Sequence, residues 1–137
     1  MPLNGLETFW IQILVVLAPM YVANSSAMIF GNGKTLLDFG RKWVDGQPVF
    51  GKGKTWKGAF SGIALGSMAG LLLQWIFPGL TIPASSSYAL LSFLLATGAG
   101  AGDVIASFFK RRNKLEPGEP VLFLDQLDFV IGGLIFG

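Results

Sequence analysis

Neither cysteine nor histidine occurs in the 137 residues. Their absence excludes disulfides, thiol nucleophiles, imidazole bases and Cys/His zinc sites. Charge is scarce too: Asp, Glu, Lys and Arg make up 13% of the chain, about half the share of an ordinary soluble domain. Before the first long apolar run the only charged residue is Glu7. A secretory signal peptide would need a basic flank there, and the run is too long for one. Chemistry in this chain must come from carboxylates, lysines, arginines, hydroxyls and backbone amides.

Apolar residues fill the space that charge leaves. They are 52% of the chain, and the mean hydropathy is +0.59. Residues 9–33 and 58–102 hold no charged side chain, and Pro78 and Pro83 divide the second run in two. Roughly 20 apolar residues cross a bilayer, so these runs predict three membrane helices. A fourth begins near Leu122 and is still apolar at Gly137, which predicts a fifth span beyond it. The expected fold is all-α, a polytopic transmembrane bundle with spans at about 8–30, 57–77, 86–109 and 121–137. It forms one integral-membrane domain, 1–137, with loops at 31–56 and 110–120.

The ten basic residues fall into two groups. Lys34, Arg41, Lys42, Lys52, Lys54 and Lys57 lie in the first loop; Lys110, Arg111, Arg112 and Lys114 lie in the third. The positive-inside rule puts both loops in the cytoplasm and the N-terminus outside, in a multi-pass cell-membrane protein. A net charge of +2 therefore conceals a basic face. That face suits membrane lipid, a phosphorylated substrate, or topology alone; nucleic acid is not an expected partner.

Against this background three aspartates stand out. Asp103, in "GDVIASFFKRR", lies seven residues before Lys110, about 10 Å deeper along a continuous helix. Asp125 and Asp128 follow Pro120 by five and eight residues, roughly 8 and 12 Å into the fourth helix. Carboxylates at that depth are costly and repel one another. A hard cation such as Mg²⁺, one ion or two, relieves both problems by taking oxygen ligands. Asp103, Ser107, Lys110 and Arg111 share a helix face, which would set phosphate-binding cations just outside the metal. Arg112 lies on another face and is expected to tolerate replacement. The alternative for Asp103 is that "GAGAG" ends one helix and the aspartate caps the next. For Asp125 and Asp128 it is a water-exposed helix start.

Other segments carry weaker signals. "FGKGKTWKG" ends like a Walker A motif, but Pro48 stands where that motif needs glycine, so this is not a P-loop. Lys52, Lys54 and Lys57 with free backbone N–H groups still suit phosphate, or serve as a juxtamembrane anchor. Asn24, Ser25 and Ser26 near the inner end of the first helix, with Thr55 and Gln126, either line a pocket or bond within the bundle. The loop before residue 56 predicts a short interfacial helix near 35–43 and then a hairpin-like turn at "DGQP". Gly62, Gly66 and Gly70 form a small-residue face for close helix packing or for a homodimer.

Together these stretches resemble a known family. Gly102, Asp103, Ser107, Lys110 and Arg111 match the G-D-x-x-x-S-x-x-K-R segment of CTP:phosphatidate cytidylyltransferases, and "LDQLD" is similar to their closing D-R-x-D. Gln126 replaces the arginine, and the His-Gly-Gly element is missing. Both departures fit the archaeal branch, the CDP-archaeol synthases, as do "ANSSAMIFG" and "DFGRKWVDGQPVFGKGKTWKG". The resemblance implies transfer of CMP from CTP to an ether-linked lipid monophosphate, with release of pyrophosphate. It also implies Mg²⁺ on Asp103, Asp125 and Asp128. From the residues alone, an ion-coupled transporter and a noncatalytic membrane subunit stay open beside it.

Overall fold

The computed structural model describes residues 4–78, 87–116, 119, 121 and 124–137. Its helices are α1 (Gly5–Phe30), α2 (Trp56–Ile76), α3 (Tyr88–Arg112) and α4 (Leu124–Phe136). The first three are long and apolar enough to cross a membrane, as their charge-free runs require. The architecture is the expected all-α membrane bundle. α4, however, is only 13 residues long, roughly 20 Å by helical rise, against about 30 Å of hydrocarbon core. The link at 79–86 and part of the loop expected at 110–120 fall outside the described residues.

Close backbone approach joins the helices, as expected where lipid gives no hydrophobic drive between them. Gly58, Gly62, Gly66 and Gly70 recur every fourth residue along α2, and all four are buried. A Cβ on Gly62 would stand 2.7 Å from the Ala23 carbonyl oxygen, and one on Gly66 would stand 2.6 Å from that of Pro19. α1 and α3 therefore already occupy this stripe, Ser92 of α3 lying against Gly70. The homodimer face expected at Gly62, Gly66 and Gly70 is corrected: it is an interface within one chain.

Gly98, Gly102 and Gly132 bring α3 and α4 together in the same way. Between the helices sits a small core that includes Val15, Met20, Leu95, Ala96 and Phe129. At the start of α3 the Tyr88 hydroxyl donates to the Val15 carbonyl at 2.6 Å, which satisfies a buried polar group and ties α3 to α1. Other large apolar side chains, Trp10, Leu72 and Trp75 among them, face outward, where a bilayer would solvate them.

α3 differs from expectation at two points. It runs unbroken through Gly98, Gly100 and Gly102, so Asp103 is a mid-helix residue and not a cap. It also continues past residue 109 to Arg112, because Lys110, Arg111 and Arg112 complement the negative end of its dipole.

The loop between α1 and α2 forms the expected hairpin-like turn, with an antiparallel bridge between Lys42 and Pro48. It does not form the expected helix at 35–43. The Asp38 carboxylate accepts the N–H groups of Gly40 at 2.9 Å, Phe50 at 2.9 Å and Gly51 at 3.2 Å. Those bonds fold the segment back on itself, with Phe39 and Gly40 at positive φ, and a helix cannot offer that geometry.

Candidate active site

The site forms where the N-terminal ends of α2 and α4 and the C-terminal end of α3 meet the loop at 31–55. Its geometry begins with Gly102. A Cβ there would strike the backbone carbonyl of Asp128, so only glycine lets α4 come this close to α3. That approach sets Asp103 and Asp128 beside each other, and Asp128 lies within Coulombic reach of Asp103, Asp125 and Lys54.

Two lysines answer the carboxylates. The Lys54 Nζ donates to Asp103 Oδ2 at 2.5 Å, with both side chains about three-quarters buried. Lys110 pairs with Asp125, whose second oxygen accepts the Val121 N–H at 3.0 Å. Asp128 Oδ1 accepts the N–H of Phe129 at 2.6 Å. Five groups thus share one neighbourhood, three negative and two positive. The sequence offers Asp103, Asp125, Asp128, Lys54 and Lys110 separately, and the fold gathers them.

Arg111 follows Lys110 at the C-terminal end of α3. It is buried, one terminal nitrogen donates to the Glu116 carbonyl at 3.2 Å, and its Cδ packs against Gly51. Its buried Nε has no hydrogen-bond partner among the described residues. A donor left idle in that place suits an anion. The Ser107 hydroxyl donates to the Asp103 carbonyl at 2.9 Å, the usual behaviour of a hydroxyl in a membrane helix.

Other expected site residues stand apart from the ion-pair cluster. Lys57 reaches Asn32 Oδ1 at 3.2 Å on the exposed side, and Lys52 is exposed. Thr55 caps α2: its hydroxyl accepts the Gly58 N–H at 3.1 Å and donates to the Gly31 carbonyl at 2.8 Å. Asn24, Ser25 and Ser26 lie in the last two turns of α1, with Ser26 buried and Ser25 exposed. Gln126 is exposed.

Two residues matter more than their sequence context suggests. Arg112 lies 2.9 Å from the Asp45 carboxylate, as an ion pair through Nε that is off-axis for a hydrogen bond. It also donates to the Pro48 carbonyl at 2.6 Å and covers the ring of Phe108. It clamps the hairpin to α3, a set of contacts that its helix face did not suggest. Asp38 is the other. Burial alone would raise its carboxyl, but the N–H groups of Phe50, Gly40 and Gly51 outweigh that and hold its pKa below the ordinary 3.8. The Asp-x-Gly spacing of an Asx-turn was its one sequence signal.

Asp103, Asp125 and Asp128 are three carboxylates in one neighbourhood with two ammoniums. Among the described residues no three of them surround a single point, because lysine ammoniums take up Asp103 and Asp125.

Known proteins are similar to this chain in sequence and fold. The family model described as CarS-like: CDP-archaeol synthase matches residues 6–137. The CDP-archaeol synthase of Pyrococcus furiosus is 46% identical over 131 residues, 96% of this chain and 74% of that protein. That of Methanocaldococcus jannaschii is 44% identical over 126 residues, 87% of this chain and 70% of its own length. A solved structure described as an intramembrane enzyme for archaeal membrane lipid biosynthesis superposes with a TM-score of 0.81 at 35% identity, over 91% of this chain and 75% of that one. Sequence, fold and the clustered carboxylates converge: the chain belongs to the CDP-archaeol synthase family.

Proposed function

We propose that this protein makes CDP-archaeol by transferring CMP from CTP to the phosphate of an ether-linked archaetidic acid, with release of pyrophosphate. A phosphate oxygen of the lipid forms a bond to the α-phosphorus of CTP as the bond from that phosphorus to the bridging oxygen breaks. The lipid phosphate is already ionised at neutral pH, so no base has to activate it, and a chain without histidine is adequate. Positioning and charge neutralisation supply the catalysis.

In this reading Lys54, Lys110 and Arg111 bind phosphoryl oxygens, and Lys52, Lys57 and Ser107 extend the contact toward the loop face. Asp103, Asp125 and Asp128 would hold one or two Mg²⁺ ions. When bound, the metal supplies Lewis-acid stabilisation of charge on the phosphoryl groups. Asn24, Ser25, Ser26, Thr55 and Gln126 remain proposals for the pocket wall, Thr55 through the cap it forms. Both basic loops face the cytoplasm, which brings CTP and the lipid headgroup to one level of the membrane.

Clustering of Lys54, Asp103, Lys110 and Asp125 at the inner helix ends supports this reading most directly. A transporter has no use for two phosphate-suited segments on one face, and family membership favours catalysis over transport or a passive subunit. The test is purified protein with labelled CTP, Mg²⁺ and archaetidic acid. CDP-lipid and pyrophosphate are expected in equal amounts, with no product from the corresponding lipid alcohol. Equal turnover with ATP or GTP would reject the cytidine assignment.

A further inference from the structure

Asp38 touches none of the groups assigned to the reaction, yet the loop that carries Lys54 is folded around it. Its two carboxylate oxygens take three backbone N–H groups, from Gly40 on one side and from Phe50 and Gly51 on the other. Gly51 sits at φ +92, a conformation that favours glycine. From there a short relay reaches Lys54. Its N–H donates to the Gly51 carbonyl at 3.2 Å, and its own carbonyl accepts the Leu37 N–H at 2.9 Å. Leu36 bridges to Thr55 one residue on. The Lys54 backbone is thus held between the strand-like segment next to Asp38 and the turn that Asp38 anchors.

We propose that Asp38 is a positioning residue that fixes the 50–55 segment and so delivers the Lys54 ammonium to Asp103. The proposal rests on the reading of Lys54 and Asp103 as part of the reacting centre. Asparagine cannot replace Asp38, because its one carbonyl oxygen cannot accept on both sides and its amide would present a donor to a donor. Glutamate keeps the charge but carries it outward by about one C–C bond, roughly 1.5 Å, so charge alone does not restore the turn.

The experiment uses the full chain in detergent and reads the reactivity of Lys54 and turnover separately. Brief acetylation followed by peptide mass spectrometry gives the labelling of Lys54 relative to exposed Lys52. In the parent protein Lys54 labels slowly. In Asp38→Asn and Asp38→Glu the Lys54-to-Lys52 ratio rises severalfold, and turnover falls on the order of 100-fold, the scale of a reacting group displaced by an ångström. In a Lys54→Met background Asp38→Asn causes little further loss, because both changes act through one side chain. An unchanged labelling ratio, or losses that multiply, would overturn the proposal. Full turnover by Lys54→Met with a shifted ratio in Asp38→Asn would instead reject the reacting-centre reading and leave the link from Asp38 to Lys54 standing. If neither Asp38 variant folds, amide exchange in the parent protein decides. Phe50 and Gly51 N–H groups must be as protected as helical amides of α2, and exchange at the rate of an exposed loop would contradict the assignment.

Discussion

Arg112 shows how far a single side chain can depart from its apparent role. By helical spacing it lies off the face of Lys110 and Arg111, and nothing in the sequence pairs it with Asp45, 67 positions earlier. The fold gives it an ion pair, a carbonyl and an aromatic face at once. Arg112→Ala should therefore destabilise the protein by about 1–2 kcal/mol, combining a part-exposed ion pair with a cation–π contact. Thermal unfolding measures the loss, and limited proteolysis within residues 41–48 should quicken. A fully stable variant would mean that the hairpin holds without its clamp. Asp38 gives a second test at this scale. Its folded pKa is depressed, so its stabilisation is complete above the unfolded value of about 4 and is lost as pH falls through the folded pKa. Unfolding midpoints between pH 7 and 3 should fall less steeply in Asp38→Asn than in the parent. Parallel slopes would contradict the assignment.

At the scale of elements, the helices were legible and their pairing was not. Charge-free runs announce α1, α2 and α3, because only bilayer-length apolar segments leave so few charges in a chain of this size. A stripe of glycines announces close packing without naming its partner, and here the partners are Pro19, Ala23 and Ser92 of the same chain. In the loop at 31–55 the hairpin-like turn was legible, but the segment 35–43 was not, because a buried carboxylate organises it through backbone bonds that no periodicity reports. In the site, the aspartates and lysines could be named from their cost in the membrane, but the exchange of partners between loop and helix is a tertiary fact. Two neighbouring glycines separate these effects. Gly100→Ala meets nothing within 4 Å and should be neutral or stabilising by up to about 1 kcal/mol, from helix propensity. Gly102→Ala strikes the backbone of Asp128, so it should cost about 1–3 kcal/mol and lower turnover by parting α3 from α4. Equal stability and turnover in the two variants would refute the tight α3–α4 contact.

For the whole molecule, the arrangement places a charged cluster at one end of an apolar bundle, where a lipid phosphate and a water-soluble nucleotide can meet. That requires both basic loops on one side. The chain lacks cysteine, so single cysteines introduced at Gln47, Asn113 and Ser86 report sidedness without background. In sealed cells an impermeant thiol reagent should label only position 86. Labelling at 47 or 113 but not at 86 would invert the map and remove the site from the cytoplasm.

The most direct measurement is turnover of CTP and archaetidic acid by purified Asp103→Asn beside the parent protein, with unfolding midpoints recorded for both. Asparagine preserves shape and removes only the charge that faces Lys54. CDP-lipid formation should fall at least about 100-fold, on the scale seen when a key electrostatic group is lost, while the unfolding midpoint stays within a few degrees of the parent. Near-normal turnover by the folded variant would contradict the claim that this carboxylate lies at the centre of the chemistry.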